Sequence, residues 1–418
     1  MPNVTLARWN LRLGLACLTA LSISLPMAWI SLAKVLIFVA ALAYLGIQLW
    51  TQRADTALGQ LWTPWALVLM LIGSACSLGW SAADPHTALM AFVKHAKLLE
   101  VALLICLIRT MAEARIAIIV FACGQAFMLL SSWLMYAGFN VPWHAHAPTP
   151  YVVFSTYLDQ SIMFATAASV FWHLRHDHLW PSWIGTILAI LGLANVFLLL
   201  EGRTGYLVAL TTLSLGLMWT LPRRMRLAAA VIAPITVFSV MYVSSAQLQE
   251  RVSQVVIETQ SYVNAWGVDA ISSSGWRLNA WHRSLQAISD APLVGHGVGA
   301  WPEAVKRMEG TAATQLFGEG NQSNPHQEYL LWGVELGVGG FVLFLVALAC
   351  MARDASHFAT PIKRATFGVL GATVVACLFN SALYDDLMGD FFCVSLGLLM
   401  AIGTRSMVKR NPKNELAA

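Results

Sequence analysis

The sequence predicts an all-α, polytopic membrane protein of about twelve transmembrane helices with a helical insertion on the outer side, and three observations carry that prediction. Of 418 residues, 58% are hydrophobic and 11% are charged, against about 25% charged in soluble domains. Apolar runs of bilayer length, roughly 18 residues or more, recur along almost the whole chain. With the N-terminus placed in the cytoplasm, sixteen of the 25 Lys and Arg residues fall inside, as the positive-inside rule expects. A soluble globule is excluded. The net charge of +4 is too small and too dispersed for a nucleic-acid surface.

The first element, 11–25, follows Arg8 and Arg12 and reads as an uncleaved first span in preference to a signal peptide. Further spans are expected near 28–50, 63–80, 87–108, 116–137, 152–172, 181–199, 204–221 and 227–245, then near 327–351, 365–383 and 388–404. Residues 1–245 thus carry spans one to nine, 246–324 an outer loop or cap, 325–404 spans ten to twelve, and 405–418 a cytoplasmic tail. Within the cap, 247–264 has helical periodicity. Ser272, Ser273, Ser274 and Gly275 break the chain before a second helical stretch over 276–289, and Pro292, Gly295, Gly297 and Gly299 mark turns. No internal repeat and no span broken at mid-membrane is expected. All seven cysteines lie in apolar runs, where a free thiol behaves as a small hydrophobe, so neither a disulfide framework nor a Cys metal site is implied.

The informative residues are those that break the charge rules. Nine basic residues fall outside or at the outer ends of spans: Lys34, Lys94, Lys97, Arg203, Arg251, Arg277, Arg283, Lys306 and Arg307. Arg203 sits in Glu201-Gly202-Arg203-Thr204-Gly205-Tyr206 at an outer span mouth, where it can pair an anionic ligand or snorkel beside Glu201. Lys34, Lys94 and Lys97 lie near the outer ends of spans two and four. They either snorkel or present ammonium groups to a polyanionic headgroup, Lys94 being the preferred member because Glu100 offers Lys97 an internal partner. On the cap, Arg277 and Trp281 share a helical face at i, i+4. The glycine-rich turns from Pro292 to Gly299 are either an ordinary loop or a run of backbone N–H groups for a phosphate.

Asn324-Pro325-His326-Gln327 has the pattern of an N-cap, a proline at N1 and a capping-box glutamine. That places His326 in the first turn of a helix, whose positive end keeps imidazole neutral and able to accept a proton. Tyr384-Asp385-Asp386 supplies two carboxylates on the last outer turn that can orient a base, bind a cation or solvate the turn. No other outer Asp/Glu pair has clear metal-ligand spacing, and His144 and His146 sit in a proline-rich loop. No metal and no cofactor is required by these residues.

Three segments resemble the O-antigen ligase and polymerase superfamily of bacterial envelope glycosyltransferases: Gly202-Arg203-Thr204-Gly205; the block with Arg277, Trp281, Pro292, Gly295 and Gly297; and Asn324-Pro325-His326 with Tyr329, Gly333 and Gly337. The resemblance implies transfer of a glycan from an undecaprenyl diphosphate carrier on the periplasmic side of the bacterial inner membrane. Arg203 and Arg277 would take the diphosphate, and His326 would be the base for the acceptor hydroxyl. Lys94, Lys34, Tyr206, Trp281, Asn324 and Asp385 are candidate substrate-binding residues. Within the superfamily, one outer loop of about 80 residues favours the ligase whose acceptor is lipid A-core over the polymerase that joins lipid-linked repeat units. A lipid-linked glycan flippase is the alternative of another class.

Overall fold

A computed structural model describes residues 10–51, 59–143, 150–177, 179–244, 246–264, 272–309 and 323–410. Every regular element among them is helical, as a hydrocarbon medium favours: a helix satisfies its own backbone N–H and C=O groups where no water can. In chain order these are α1 (Leu11–Ser22), α2 (Met27–Thr51), α3 (Thr63–Ser77), α4 (Pro85–Ala96), α5 (Leu99–Leu107), α6 (Met111–Tyr136), α7 (Tyr157–Leu174) and α8 (Ser182–Leu198). Then follow α9 (Arg203–Thr220), α10 (Arg226–Ser244), α11 (Ala246–Asn264), α12 (Ser273–Asp290), α13 (Trp301–Glu309), α14 (Glu328–Ser356), α15 (Thr360–Phe379) and α16 (Asp386–Arg410). Arg8, Arg53, His144, His146, cap residues 265–271 and 310–322, and the tail beyond Arg410 lie outside the described residues.

Five helices, α6, α10, α14, α15 and α16, are long and apolar enough to cross a membrane; α1, α3, α8 and the Met27–Ala40 part of α2 are shorter apolar helices. The chain is a multi-pass membrane protein. Helix α16 is its axis: the apolar stretch of that helix is wholly buried, packed against α5 and α6. Helix α10 is the opposite case, with Val231, Ile232, Ile235 and Val243 exposed. It packs against α9 on one side, and an apolar helix with the rest of its surface bare suits lipid contact. Helix α7 lies between α8, α9 and α15 and so fixes the outer mouth of α9.

Local sequence sets the helix starts. Thr110 and Glu113 form a capping box on α6, Asp84 caps α4 ahead of Pro85, and Ser272 caps α12 through the Gly275 N–H. The serine run expected to interrupt the cap is therefore the beginning of α12. After the Pro292–Gly299 turns comes a further short helix, α13, which the sequence reading did not mark.

Two spans expected to be continuous are broken. The fourth is two helices, α4 and α5, parted at Lys97 and Leu98. Helix α14 kinks at Gly337, where φ is 67° and ψ is −161°. The Pro292–Gly299 loop docks into that kink and completes its hydrogen bonding. The Val338 N–H donates to the Pro292 carbonyl (2.8 Å), and the His296 and Gly297 N–H groups donate to the carbonyls of Val334 (2.8 Å) and Glu335 (2.9 Å). The break is stable because the loop supplies the partners the helix lost.

Candidate active site at the outer mouth of α9

Arg203 opens α9, held there by close helix contact. A side chain on Gly202 or Gly205 would collide with Ser161 of α7, while the Thr204 hydroxyl accepts a bond from Asn380 Nδ2 (3.1 Å) at the end of α15. The guanidinium reaches across to the cap. It donates to Glu258 Oε2 (3.2 Å) and Gln254 Oε1 (3.4 Å) on α11 and to Ser274 Oγ (3.0 Å) on α12. Its partner is Glu258, not the neighbouring Glu201, which instead pairs with Arg251. Burial opposes the charge of Glu258, but bonds from Ser274 and Arg203 outweigh it and hold its carboxyl below the ordinary range.

Arg203, Arg251 and Arg277 line one pocket of about 170 Å³ together with Tyr157, Leu158, Thr204, Gln254 and the two carboxylates Glu201 and Glu258. Three guanidinium groups against two carboxylates leave one net positive charge. Among the described residues no hydrogen bond or ion pair holds Arg277. Burial and the nearby charge of Arg203 both work against its proton. An arginine remains charged all the same, so cations exceed carboxylates by one among the residues that line the pocket.

His326 adjoins this pocket. Its ring stands edge-on to Trp276 with centroids 5.1 Å apart. Burial, then the charge of Arg277, pushes the imidazole down to about 4, which leaves it neutral at pH 7. Nδ1 is buried with no partner among the described residues. The expected route to neutrality is corrected, however. Helix α14 begins at Glu328 with Gln327 as its cap, the Gln327 Oε1 accepting the Leu330 N–H at 2.6 Å. His326 lies before the helix at φ 49°, in a turn closed by its N–H to Asn324 Oδ1 (2.9 Å). Asn324 and Pro325 build that left-handed turn in place of a helix cap.

The turn before α16 is tied to the same place. Buried Glu328 accepts the N–H groups of Leu383 (3.1 Å) and Tyr384 (3.2 Å), and the Gln327 N–H donates to Ser381 Oγ (3.1 Å). Half-buried Asp385 is pushed up to about 7 by burial and by the charges of Asp159 and Glu328. Asp159 lies two residues along α7 from pocket-lining Tyr157. A carboxyl pushed toward neutrality by burial and by its neighbours is a functional-site signal.

Residues 184–345 match the O-antigen ligase family model, a stretch that includes Arg203, Arg251, Arg277 and His326. Over that stretch the chain is similar to the O-antigen ligase/polymerase superfamily. No curated protein matches it. Members of this superfamily are glycosyltransferase-like enzymes that act on lipid-linked glycans.

The other candidate residues divide. Trp281 lies one turn beyond Arg277, against Phe379 (centroids 6.3 Å), with Nε1 buried and without a partner among the described residues. Tyr206 is committed elsewhere: its hydroxyl donates to the Leu200 carbonyl (2.8 Å) and its ring stacks on Phe197. The lysines do not form an open headgroup site. Lys34 pairs with buried Asp390 (2.9 Å), and Lys97 donates to the carbonyls of Asp385 (2.7 Å) and Tyr384 (3.2 Å), not to Glu100. Lys94 stands 4.0 Å from Asp386 and over the Tyr384 ring. All three thus brace the start of α16.

The glycine-rich loop is not a phosphate cradle either. Besides its bonds to α14, it spends the Val298 N–H on Ser77 Oγ (3.0 Å) and the Gly299 N–H on Glu335 Oε1 (2.8 Å). Sequence reasoning named Arg251 only as one of nine outer basic residues and Glu258 not at all, and it passed over Tyr157 and Glu328. The signal for the first two was present: residues 251, 254 and 258 recur at i, i+3, i+7 and so share one face of α11.

Proposed function

We propose that the chain is an O-antigen ligase, transferring a glycan from undecaprenyl diphosphate to lipid A-core oligosaccharide at the periplasmic face of the bacterial inner membrane. The observation that carries this reading is the pocket of three arginines and two carboxylates in which Arg277 has no ion pair of its own among the described residues, with a neutral imidazole beside it. A diphosphate fits that imbalance, because guanidinium groups bind phosphate oxygens in pairs. In the proposed twelve-span topology, with both termini in the cytoplasm, this pocket lies outside, where a lipid diphosphate is an activated donor that needs no nucleotide.

In the reaction, the acceptor hydroxyl oxygen forms a bond to the anomeric carbon of the glycan as the bond from that carbon to the diphosphate oxygen breaks. Negative charge grows on the leaving diphosphate, and Arg203, Arg251 and Arg277 are positioned to stabilise it. His326 takes the hydroxyl proton on its free Nδ1. Donor binding prepares this step: a diphosphate beside Arg277 offsets the charge that depresses the ring, so the imidazole becomes more basic in the complex than in the free protein.

Deleting the gene and resolving the lipopolysaccharide on a gel tests the assignment. A ligase loss leaves bare lipid A-core with glycan stranded on its carrier. Core capped by a single unit would instead identify the polymerase, and glycan retained on the cytoplasmic side would identify a flippase.

A further inference from the structure

The Pro292–Gly299 loop spends its backbone on α14, and its tip takes no part in the reaction above. That tip is apolar and bare among the described residues: Leu293 is 85% exposed and Val294 57%. Ser289 and Asp290, just ahead of it at the end of α12, are exposed and polar. Trp80, also exposed, stands beside the tip and donates its indole N–H to the Val294 carbonyl (3.2 Å). Besides the bonds to α14, the Gly295 N–H donates to the Ala291 carbonyl (3.0 Å) and Ser81 Oγ to the Val298 carbonyl (2.8 Å). A loop bonded inward in this way can lie against hydrocarbon, where irregular backbone is tolerated only if the protein satisfies it.

The tip continues two membrane-facing stripes. Helix α3 exposes Trp65, Leu69 and Ile72, and α14 exposes Val338, Val342 and Leu345, each set spaced i, i+4, i+7 along one helix face. The two helices pack side by side. Trp80 follows α3 and the Val338 N–H is bonded to Pro292, so the tip sits at one end of both stripes. Charge marks the other end: Arg353 stacks over the Trp62 ring (4.0 Å), and Asp354 accepts the Thr63 N–H (2.8 Å). From Arg353 to Val338 is about 22 Å along α14 at 1.5 Å per residue, and the fifteen residues of α3 cover about as much. The hydrocarbon core is about 30 Å thick. A tip at that distance from the charged end lies inside the core or at its boundary, and any tilt of the helices brings it deeper. Trp62 and Trp80 then stand near the two membrane–water interfaces, where tryptophan is enriched.

We propose that Leu293 and Val294 insert into the bilayer at the boundary between headgroups and acyl chains, which makes this loop a lipid anchor for the cap. A lone exposed leucine needs no explanation. One that extends two lipid-facing stripes, next to a residue bonded to an interfacial tryptophan, has one in the membrane. Insertion is shallow, because Ser289 and Asp290 stay in water. Helix α12 ends two residues before Pro292, so the anchor holds the helix that carries Arg277 against the membrane surface. A second protein chain is the competing occupant, but it would have to cover the adjoining stripes of α3 and α14 as well. The inference rests on the chain's crossing a membrane; it holds whichever glycan is transferred and whichever side the cap faces.

Photolabelling of the unaltered full chain tests this. The chain is placed in vesicles of phosphatidylethanolamine and phosphatidylglycerol that carry a phospholipid with a diazirine near the glycerol end of one acyl chain, and adducts are mapped by peptide mass spectrometry after irradiation. Adducts are expected at Leu293 and Val294 and not at Lys306, which is exposed on α13. Moving the diazirine to the far end of the chain should shift labelling toward Ile72 and Leu345. A nitroxide on Leu293→Cys or Val294→Cys, in a chain freed of native cysteines, gives a second measurement. Its collisions with oxygen should exceed those of the same label on Lys306→Cys, and its collisions with a water-soluble nickel chelate should be severalfold fewer. If the cysteine-free chain melts below the unaltered one, the photolabelling alone decides. A tip without adducts, or a tip label as open to nickel as the one at 306, overturns the proposal in favour of water. A tip label shielded from oxygen and nickel alike overturns it in favour of a protein contact.

Discussion

Replacing Arg277 by Lys isolates what the pocket needs. The change keeps a positive charge in place but gives up the planar fork that can bind two phosphate oxygens at once. Arg277 makes no hydrogen bond or ion pair among the described residues, so little folded-state bonding is lost with it. The effect should therefore appear in the reaction. One charge-assisted hydrogen bond contributes about 1.5–3 kcal/mol, and with 1.4 kcal/mol per tenfold the expected fall in transfer is roughly 10- to 150-fold. The assay is formation of glycan-bearing lipid A-core by purified protein from lipid-linked glycan, with kcat and KM measured separately. A bond that strengthens as the diphosphate leaves should lower kcat more than it raises KM. Arg251→Lys, in the same pocket but paired with Glu201, should lose less. Arg307→Lys, exposed on α13, should lose nothing measurable. If Arg277→Lys transfers as well as Arg307→Lys, the pocket acts through bulk charge alone and the diphosphate clamp is wrong.

The pH dependence separates the two candidate bases. With His326 as base, activity falls as pH drops through its pKa, so the acid limb of kcat/KM should lie near 4, and that of kcat should lie higher because bound diphosphate offsets Arg277; an acid limb near 7 that vanishes in Asp385→Asn would transfer the role to Asp385. Gly297 and Gly138 share φ +87°, but a Cβ at Gly297 collides with Ser81 and one at Gly138 meets nothing within 4 Å. Gly138→Ala should therefore cost only the left-handed penalty of about 1–2 kcal/mol, and Gly297→Ala should lower the melting temperature in detergent much further; equal melting would mean the loop is not held as described. Transfer in EDTA without nucleotide should proceed, since the arginines supply the charge that a divalent cation supplies in many phosphate-handling enzymes; loss restored by Mg²⁺ would make Asp385 and Asp386 ligands.

The helices were legible because a span declares itself by an uninterrupted apolar run, and each expected span overlies a helix or, at α4 and α5, a broken pair. The breaks were not legible, since what permits them is remote in sequence. Gly337 leaves the helix because a loop some forty residues earlier donates and accepts at its open positions. Nothing in the run around Gly337 encodes that partner. Asn324-Pro325 misled for a different reason: the residues that cap a helix also close an Asx turn, and Gln327, equally able to cap, took the helix start. His326 nonetheless reached the neutral state expected of it, by burial and by Arg277 in place of the helix dipole.

The charge-rule violations were the best guide to the site, yet they separated into two groups only when their partners could be seen. Lys34 and Lys94 were candidates for an anion alongside Arg203, and Lys97 a weaker one because of Glu100. Each meets acceptors at the start of α16, whose carboxylates and carbonyls the sequence scattered over seven positions. The arginines draw on a shorter supply: among the described residues Glu201 pairs with Arg251 and Glu258 with Arg203, so Arg277 feels Glu258 only at a distance and has no ion pair of its own. A guanidinium in a half-buried pocket bears a desolvation cost that pairing normally offsets. Retaining one without a partner is unfavourable for the empty protein and favourable only for a protein that spends its working time with an anion there. The same imbalance couples the two halves of the site, because the anion that satisfies Arg277 also removes the charge that holds His326 down.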